Sequence, residues 1–129
     1  MLTTLRRSFS PADRTVNETT ALFDVPRGAR VVWASAEKNV LAAAGTSSTM
    51  TLGDGADPDG YIATAELDLE TGAAGDLVDG AGAYLDASGG KLYTSRDTVD
   101  VVYTASGTPG ATVPRVTFAV GLVREWAGT

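Results

Sequence analysis

The sequence predicts an all-β protein: a single antiparallel β-sandwich or jelly-roll-like domain with an extended N-terminal arm, in 129 residues. Three observations predict it. Apolar side chains alternate with polar ones at period two in several separate segments, as in a sheet with one buried face. Clusters of Gly, Pro and Asp, which accept or preset turn dihedrals, separate those segments. No long stretch carries the 3.6-residue apolar period of an amphipathic helix. The length suits one domain, and a chain of this size buries enough surface to hold a core without metal or disulfide.

Residues 1–17 show no strand periodicity and are expected as the arm, with the sandwich at 18–129. Within residues 1–15, Arg6, Arg7 and Arg14 stand against Asp13 alone, so the segment is basic ahead of an acidic body. Phe9, an isolated aromatic beside those arginines, is the kind of anchor a clasping segment uses. Leu5, Arg6, Arg7, Phe9 and Arg14 are therefore the expected partner-contact residues, the alternative being a disordered terminus.

Residues 20–25 and 30–35 flank Pro26-Arg27-Gly28-Ala29, a turn signal, and are expected as a hairpin. Trp33 alternates with Val31 and is expected in the core. Residues 37–44 could form one or two helical turns. Residues 49–52 and 61–69 are further strands, with Glu66, Asp68 and Glu70 on a solvated face. Residues 97–104 place Val99, Val101 and Tyr103 on one side. The clearest strand is 114–126, where Val116, Phe118, Val120 and Leu122 share a face opposite Arg115, Thr117, Ala119 and Gly121. Trp126, with only three residues after it, either closes the sandwich or meets a neighbour.

The residues offer little chemistry. With no Cys and no His, the sequence excludes disulfides, thiolate or imidazole metal sites, cysteine nucleophiles and Ser-His-Asp relays. Asp54, Asp57 and Asp59 could present oxygens to Ca²⁺, but the calcium-loop spacing puts Gly55 where the first aspartate belongs. Asp-Gly and Asp-Pro-Asp-Gly are instead turn residues that cap their own backbone. A glycosidase pair would need a cleft of stacking aromatics, and aromatic content is 7%. Gly80-Ala81-Gly82 lacks the third glycine and following helix of a phosphate loop. The expectation is no enzyme, no cofactor and no metal.

Net charge is −6, and it is uneven: residues 1–64 carry six basic and seven acidic groups, residues 65–129 four and nine. Such a surface repels polyanions, so nucleic acid is not an expected partner. No apolar run reaches the roughly 18 residues of a membrane span, and no apolar core follows Arg6-Arg7 as in a secretory signal, so neither membrane insertion nor export is expected.

Three segments carry a likeness to known proteins: residues 21–32 (ALFDVPRGARVV), 48–62 (STMTLGDGADPDGYI) and 97–104 (DTVDVVYT). Together they resemble small β-rich virion structural proteins of tailed bacteriophages and phage-like particles. The likeness covers about residues 18 to 125, and the middle segment is its most specific part. It implies an accessory virion protein, made in the host cytoplasm and bringing no catalytic residue. Two locations stay open. A capsid decoration, or cement, protein on the shell surface would bind the major capsid protein, as a homotrimer. A tail or head fibre or spike component would bind host surface glycans. A compact β domain with a basic arm favours the shell, since a trimeric fibre more often shows repeats or a coiled-coil stalk.

Overall fold

The computed structural model describes residues 2–11, 17–41, 48–63, 67, 69, 72–86, 89–105 and 113–125. The strands are β1 (Leu2–Phe9), β2 (Glu18–Val25), β3 (Ala29–Val40), β4 (Ser48–Gly53), β5 (Leu77–Asp79), β6 (Lys91–Leu92), β7 (Asp97–Ala105) and β8 (Arg115–Arg124), and one helical turn, α1 (Ala83–Asp86), precedes β6. They form two sheets with every pairing antiparallel. The five-stranded sheet runs β1-β8-β3-β5, with β6 also beside β3, and the three-stranded sheet runs β2-β7-β4. The all-β sandwich expected from the alternation is the fold observed.

The core lies between the sheets and is built by the strands with the strictest alternation. Val99, Val101 and Tyr103 of β7 and Val116, Phe118 and Val120 of β8 are fully buried. Met50 and Leu52 of β4 join them, as do Phe23 and Val25 of β2. β8 departs from simple alternation because Ala119 and Gly121, on its other face, are buried too. The cover over Gly121 is Trp33, whose indole nitrogen lies where a β-carbon at position 121 would be.

That contact corrects the expectation for Trp33. A bulge between Val31 and Trp33 shifts the register against β8, so Val31 opposes Leu122 and Trp33 opposes Gly121. The extra residue turns Trp33 to the outer face, while Val31, Ala34 and Ala36 keep the inner one.

Other expectations also change. Residues 20–25 and 30–35 do not make a hairpin, because β2 and β3 belong to different sheets. The turn between them is real: Ala29 N–H donates to the Pro26 carbonyl (3.2 Å), and Gly28 takes φ +87°, which favours glycine. It acts as an arch, since Gly28 N–H donates to the Tyr93 carbonyl and its own carbonyl accepts from Glu125 N–H. Residues 37–40 extend β3 rather than starting a helix. Of residues 61–69, Ile62 makes only an isolated bridge to Leu52, although Tyr61, Ile62, Leu67 and Leu69 are all fully buried. Glu66, Asp68, Glu70 and Trp126 lie outside the described residues.

A buried polar cluster ties the β4 end to α1 and β6. Asp54, just past β4, is 1% exposed. Its Oδ1 accepts from the backbone N–H of Ala56 (3.1 Å) and Asp57 (3.0 Å) and from the Tyr84 hydroxyl (2.8 Å). Its Oδ2 accepts from Lys91 Nζ (2.7 Å) and the Tyr93 hydroxyl (2.9 Å). Because the Tyr93 proton is committed to Asp54, the Tyr61 hydroxyl, 2.7 Å away, donates to Tyr93. Lys91 also sits over the Tyr84 ring, 4.3 Å from its centroid. Burial by itself pushes the Asp54 carboxyl up, but the hydrogen bonds, that from Lys91 foremost, outweigh it and hold the group below the ordinary 3.8. Burial pulls the Lys91 ammonium down, and its bonds to Asp54 and Tyr84 more than reverse this, holding it above 10.5.

Two outcomes follow. Asp54→Asn removes the charge that Lys91 and four backbone or phenol donors were arranged around, and should cost about 2–4 kcal/mol in chemical denaturation. The folded-state Asp54 pKa lies below the unfolded one, so its contribution is complete above pH 3.8 and is lost as pH falls through the lower folded value. The native protein should therefore lose stability below that pH more steeply than the Asp54→Asn variant. On the outer face, Gly121→Val should displace Trp33 and lower stability by about 1–3 kcal/mol, read as a reduced Tm.

Candidate interaction edge

The acidic loop is turn chemistry in the structure. Both Asp54 oxygens are occupied by the donors named above, and no group of three or more acidic side chains placed to hold a metal occurs among the described residues. Asp57 remains half-exposed, its carboxyl pushed above 3.8 chiefly by a hydrogen bond to the Asp59 side chain.

The four expected contact residues that are described, Leu5, Arg6, Arg7 and Phe9, do not form an arm. Leu2–Phe9 is strand β1, paired with β8 residue by residue from Leu2 opposite Val123 to Phe9 opposite Val116. The register alternates the side chains: Leu5, Arg7 and Phe9 face the interior opposite Val120, Phe118 and Val116, and Arg6 faces outward opposite Ala119. Phe9 is 7% exposed and belongs to the chain's own core, so it is not an anchor for another chain. Leu5 is half-buried against that core. Arg7 is exposed and donates to the Leu22 carbonyl (3.2 Å), while Arg6 is exposed. Arg14 lies outside the described residues. The segment looked aperiodic because its alternate positions are Thr, Arg and Ser, on a strand with only one neighbour and a partly open inner face. The pattern Leu5-x-x-x-Phe9 was the available signal.

A side-chain relay fixes β1 to the sheet from outside. The Thr117 hydroxyl donates to Asn39 Oδ1 (2.6 Å), and Asn39 Nδ2 donates to Glu37 (3.3 Å). With the Thr117 proton so used, the Ser8 hydroxyl, 2.8 Å away, donates to Thr117. Three strands are thus bound in one direction.

What remains is an edge. Among the described residues β1 pairs only with β8 and β2 only with β7, so one side of the sandwich presents two strand edges, which in sheet proteins invite a further strand. Between them runs a groove of about 310 Å³ lined by Leu5, Arg6, Arg7, Leu22, Phe23 and Asp24. A smaller one of about 180 Å³ is lined by Thr3, Pro26, Ala29, Leu122 and Arg124. Arg115 and Arg124, at the two ends of β8, flank β1, so this border is basic although the chain is acidic. Leu5, Arg6 and Arg7 line this groove together with Leu22 and Phe23, which the sequence reading did not single out and which flank a register shift between Ala21 and Phe23.

No family model and no curated protein matches the chain. Its fold is shared with a chain of the cyanophage Pam1 capsid asymmetric unit, at 15% identity and TM-score 0.67, over 94% of this chain and 83% of that one. It is also shared with a chain of the acidic stable capsid structure of Helicobacter pylori bacteriophage KHP30, at 13% identity and TM-score 0.58, over 95% and 92%. At these identities the likeness is one of fold: this chain has the two-sheet antiparallel architecture of those two capsid-derived chains.

Proposed function

We propose that the protein is a structural component of a phage-like virion, specifically a non-catalytic decoration protein that binds the outer shell and stabilises it. The observation that carries this reading is the extent of the shared fold. It spans nearly all of this chain and most of each neighbour, so the likeness is to a whole small chain within a capsid and not to one domain of a larger protein. The absence of Cys and His from the sequence and the full occupation of the Asp54 carboxylate support a role without chemistry.

The partner in this reading is the major capsid protein, bound by a homotrimer on the capsid surface. Many modest contacts repeated by symmetry would hold shell subunits that otherwise meet weakly. The contact residues are redrawn from a free arm to the β1 side of the sandwich, where Leu5, Arg6 and Arg7 are displayed.

The test is co-sedimentation of the purified protein with shells assembled from the major capsid protein of its own particle. Binding should saturate at a fixed ratio to shell subunits and raise the temperature at which the shells come apart. No binding to shells, together with binding to host surface polysaccharide, would overturn the reading in favour of a fibre or spike.

A further inference from the structure

We infer that the two outer edges of the five-stranded sheet are the two halves of a head-to-tail contact between copies of this chain, with β1 of one copy alongside β5 of the next. The inference deepens the edge reading above by naming the neighbour that β1 meets.

The two edges differ in charge. β1 carries Arg6 and Arg7 and no acid, whereas β5 and the residue before it read Asp76-Leu77-Val78-Asp79, with no base; β6, on the same border, adds Lys91, whose charge is held by Asp54. Among the described residues, no ion pair engages Arg6 or Asp79. Two β1 edges brought together would oppose arginine to arginine, and two β5 edges aspartate to aspartate. Like charges directly across a strand pair are destabilising, so each edge discourages its own kind and suits the other.

The apolar side chains agree with this polarity. Three large hydrophobic residues are exposed among the described residues, and two of them are Leu2 on β1 (54%) and Leu77 on β5 (74%). Leu77 opposes Glu37 and Val78 opposes the buried Ala36, which puts Leu77 and Asp79 on the outer face and Val78 on the inner one. On β1 the outer face holds Leu2 and Arg6, and the inner face Leu5. Leu5 and Val78 both pack against the core as half-buried residues. Set edge to edge with the inner Leu5 opposite Val78, the two strands continue a single buried face and bring Arg6 beside Leu77 and diagonal to Asp79 on the outer one. Such a contact is heterologous, so it builds a ring when the rotation between copies closes.

Charge exchange tests it by sedimentation velocity over a concentration series, without shells. The wild-type chain should self-associate. Arg6→Glu and Asp79→Arg, both at exposed positions, should each weaken association by roughly tenfold or more. Mixed in equal amounts, the two variants should recover assembly, because both contacts between unlike copies bring opposite charges together. The doubly substituted chain R6E/D79R should recover assembly, an outcome that misfolding of either single variant could not produce. A wild-type chain that stays monomeric throughout, or a double variant no stronger than the singles, overturns the inference. Shell co-sedimentation run in parallel keeps the two readings apart. A monomer that binds shells would assign the β1 edge to the shell protein, whereas an oligomer that ignores shells would overturn the decoration reading alone.

Discussion

Strand β8 is the constraint on which the rest of the molecule depends. It lies between β1 and β3 and pairs along most of its length with both, so its backbone groups are satisfied only when the two ends of the sequence are together. Both its faces are covered, one by the core and the other by Trp33 over Gly121, so it tolerates almost nothing polar along its middle. The opposing sheet, centred on β7, then needs only to present Val99, Val101 and Tyr103 to the inner face of β8 for the core to close. Loss of β8 would leave β1 without its partner and β3 with only the short strands β5 and β6.

How much of this could be read from the residues depended on how many neighbours each segment has. β7 and β8 are central strands with a buried face, and their alternation was plain. β1 is an edge strand whose outward positions after Leu2 are Thr, Arg and Ser, so its sequence reads as an arm although it pairs with the distant β8. The turn at Pro26–Ala29 was legible, but a turn signal says that the chain reverses and not whether it returns to the same sheet. Trp33 was misplaced because a bulge adds one residue and inverts every later side chain, and a bulge leaves no mark in composition. Asp54 was legible as a turn residue through Asp-Gly. Its burial was not, since Lys91, Tyr84 and Tyr93 reach it from 30 to 39 positions away. Of the candidate contact residues, Leu5, Arg6, Arg7 and Phe9 all lie on β1, the first three lining the groove and Phe9 packed in the core.

The chemistry of the surface follows from the same economy. The strongest polar groups, the Asp54 carboxylate and its phenols, are used up in holding a loop, and the side-chain relay from Ser8 to Glu37 is used up in fastening β1. Among the described residues, the groups left exposed include the β1 and β5 edges, Arg6 and Arg7, acids such as Asp24 and Asp79, and the side chains of Leu2 and Leu77.

The pairing of residue 2 with residue 123 also has a temporal consequence. A ribosome makes the chain from its N-terminus, so the first strand must wait for nearly the last one before its ladder can form. Until then β1 and β3 are nascent edges with no β8 between them, open to any other unpaired strand nearby. Closing so long a loop is also the slow kind of folding step, because the entropy of bringing the ends together is lost before any hydrogen bond is gained. Synthesis at high copy number would expose many such unfinished sheets at once, and the like charge of Arg6 and Arg7 would then disfavour pairing between two β1 strands.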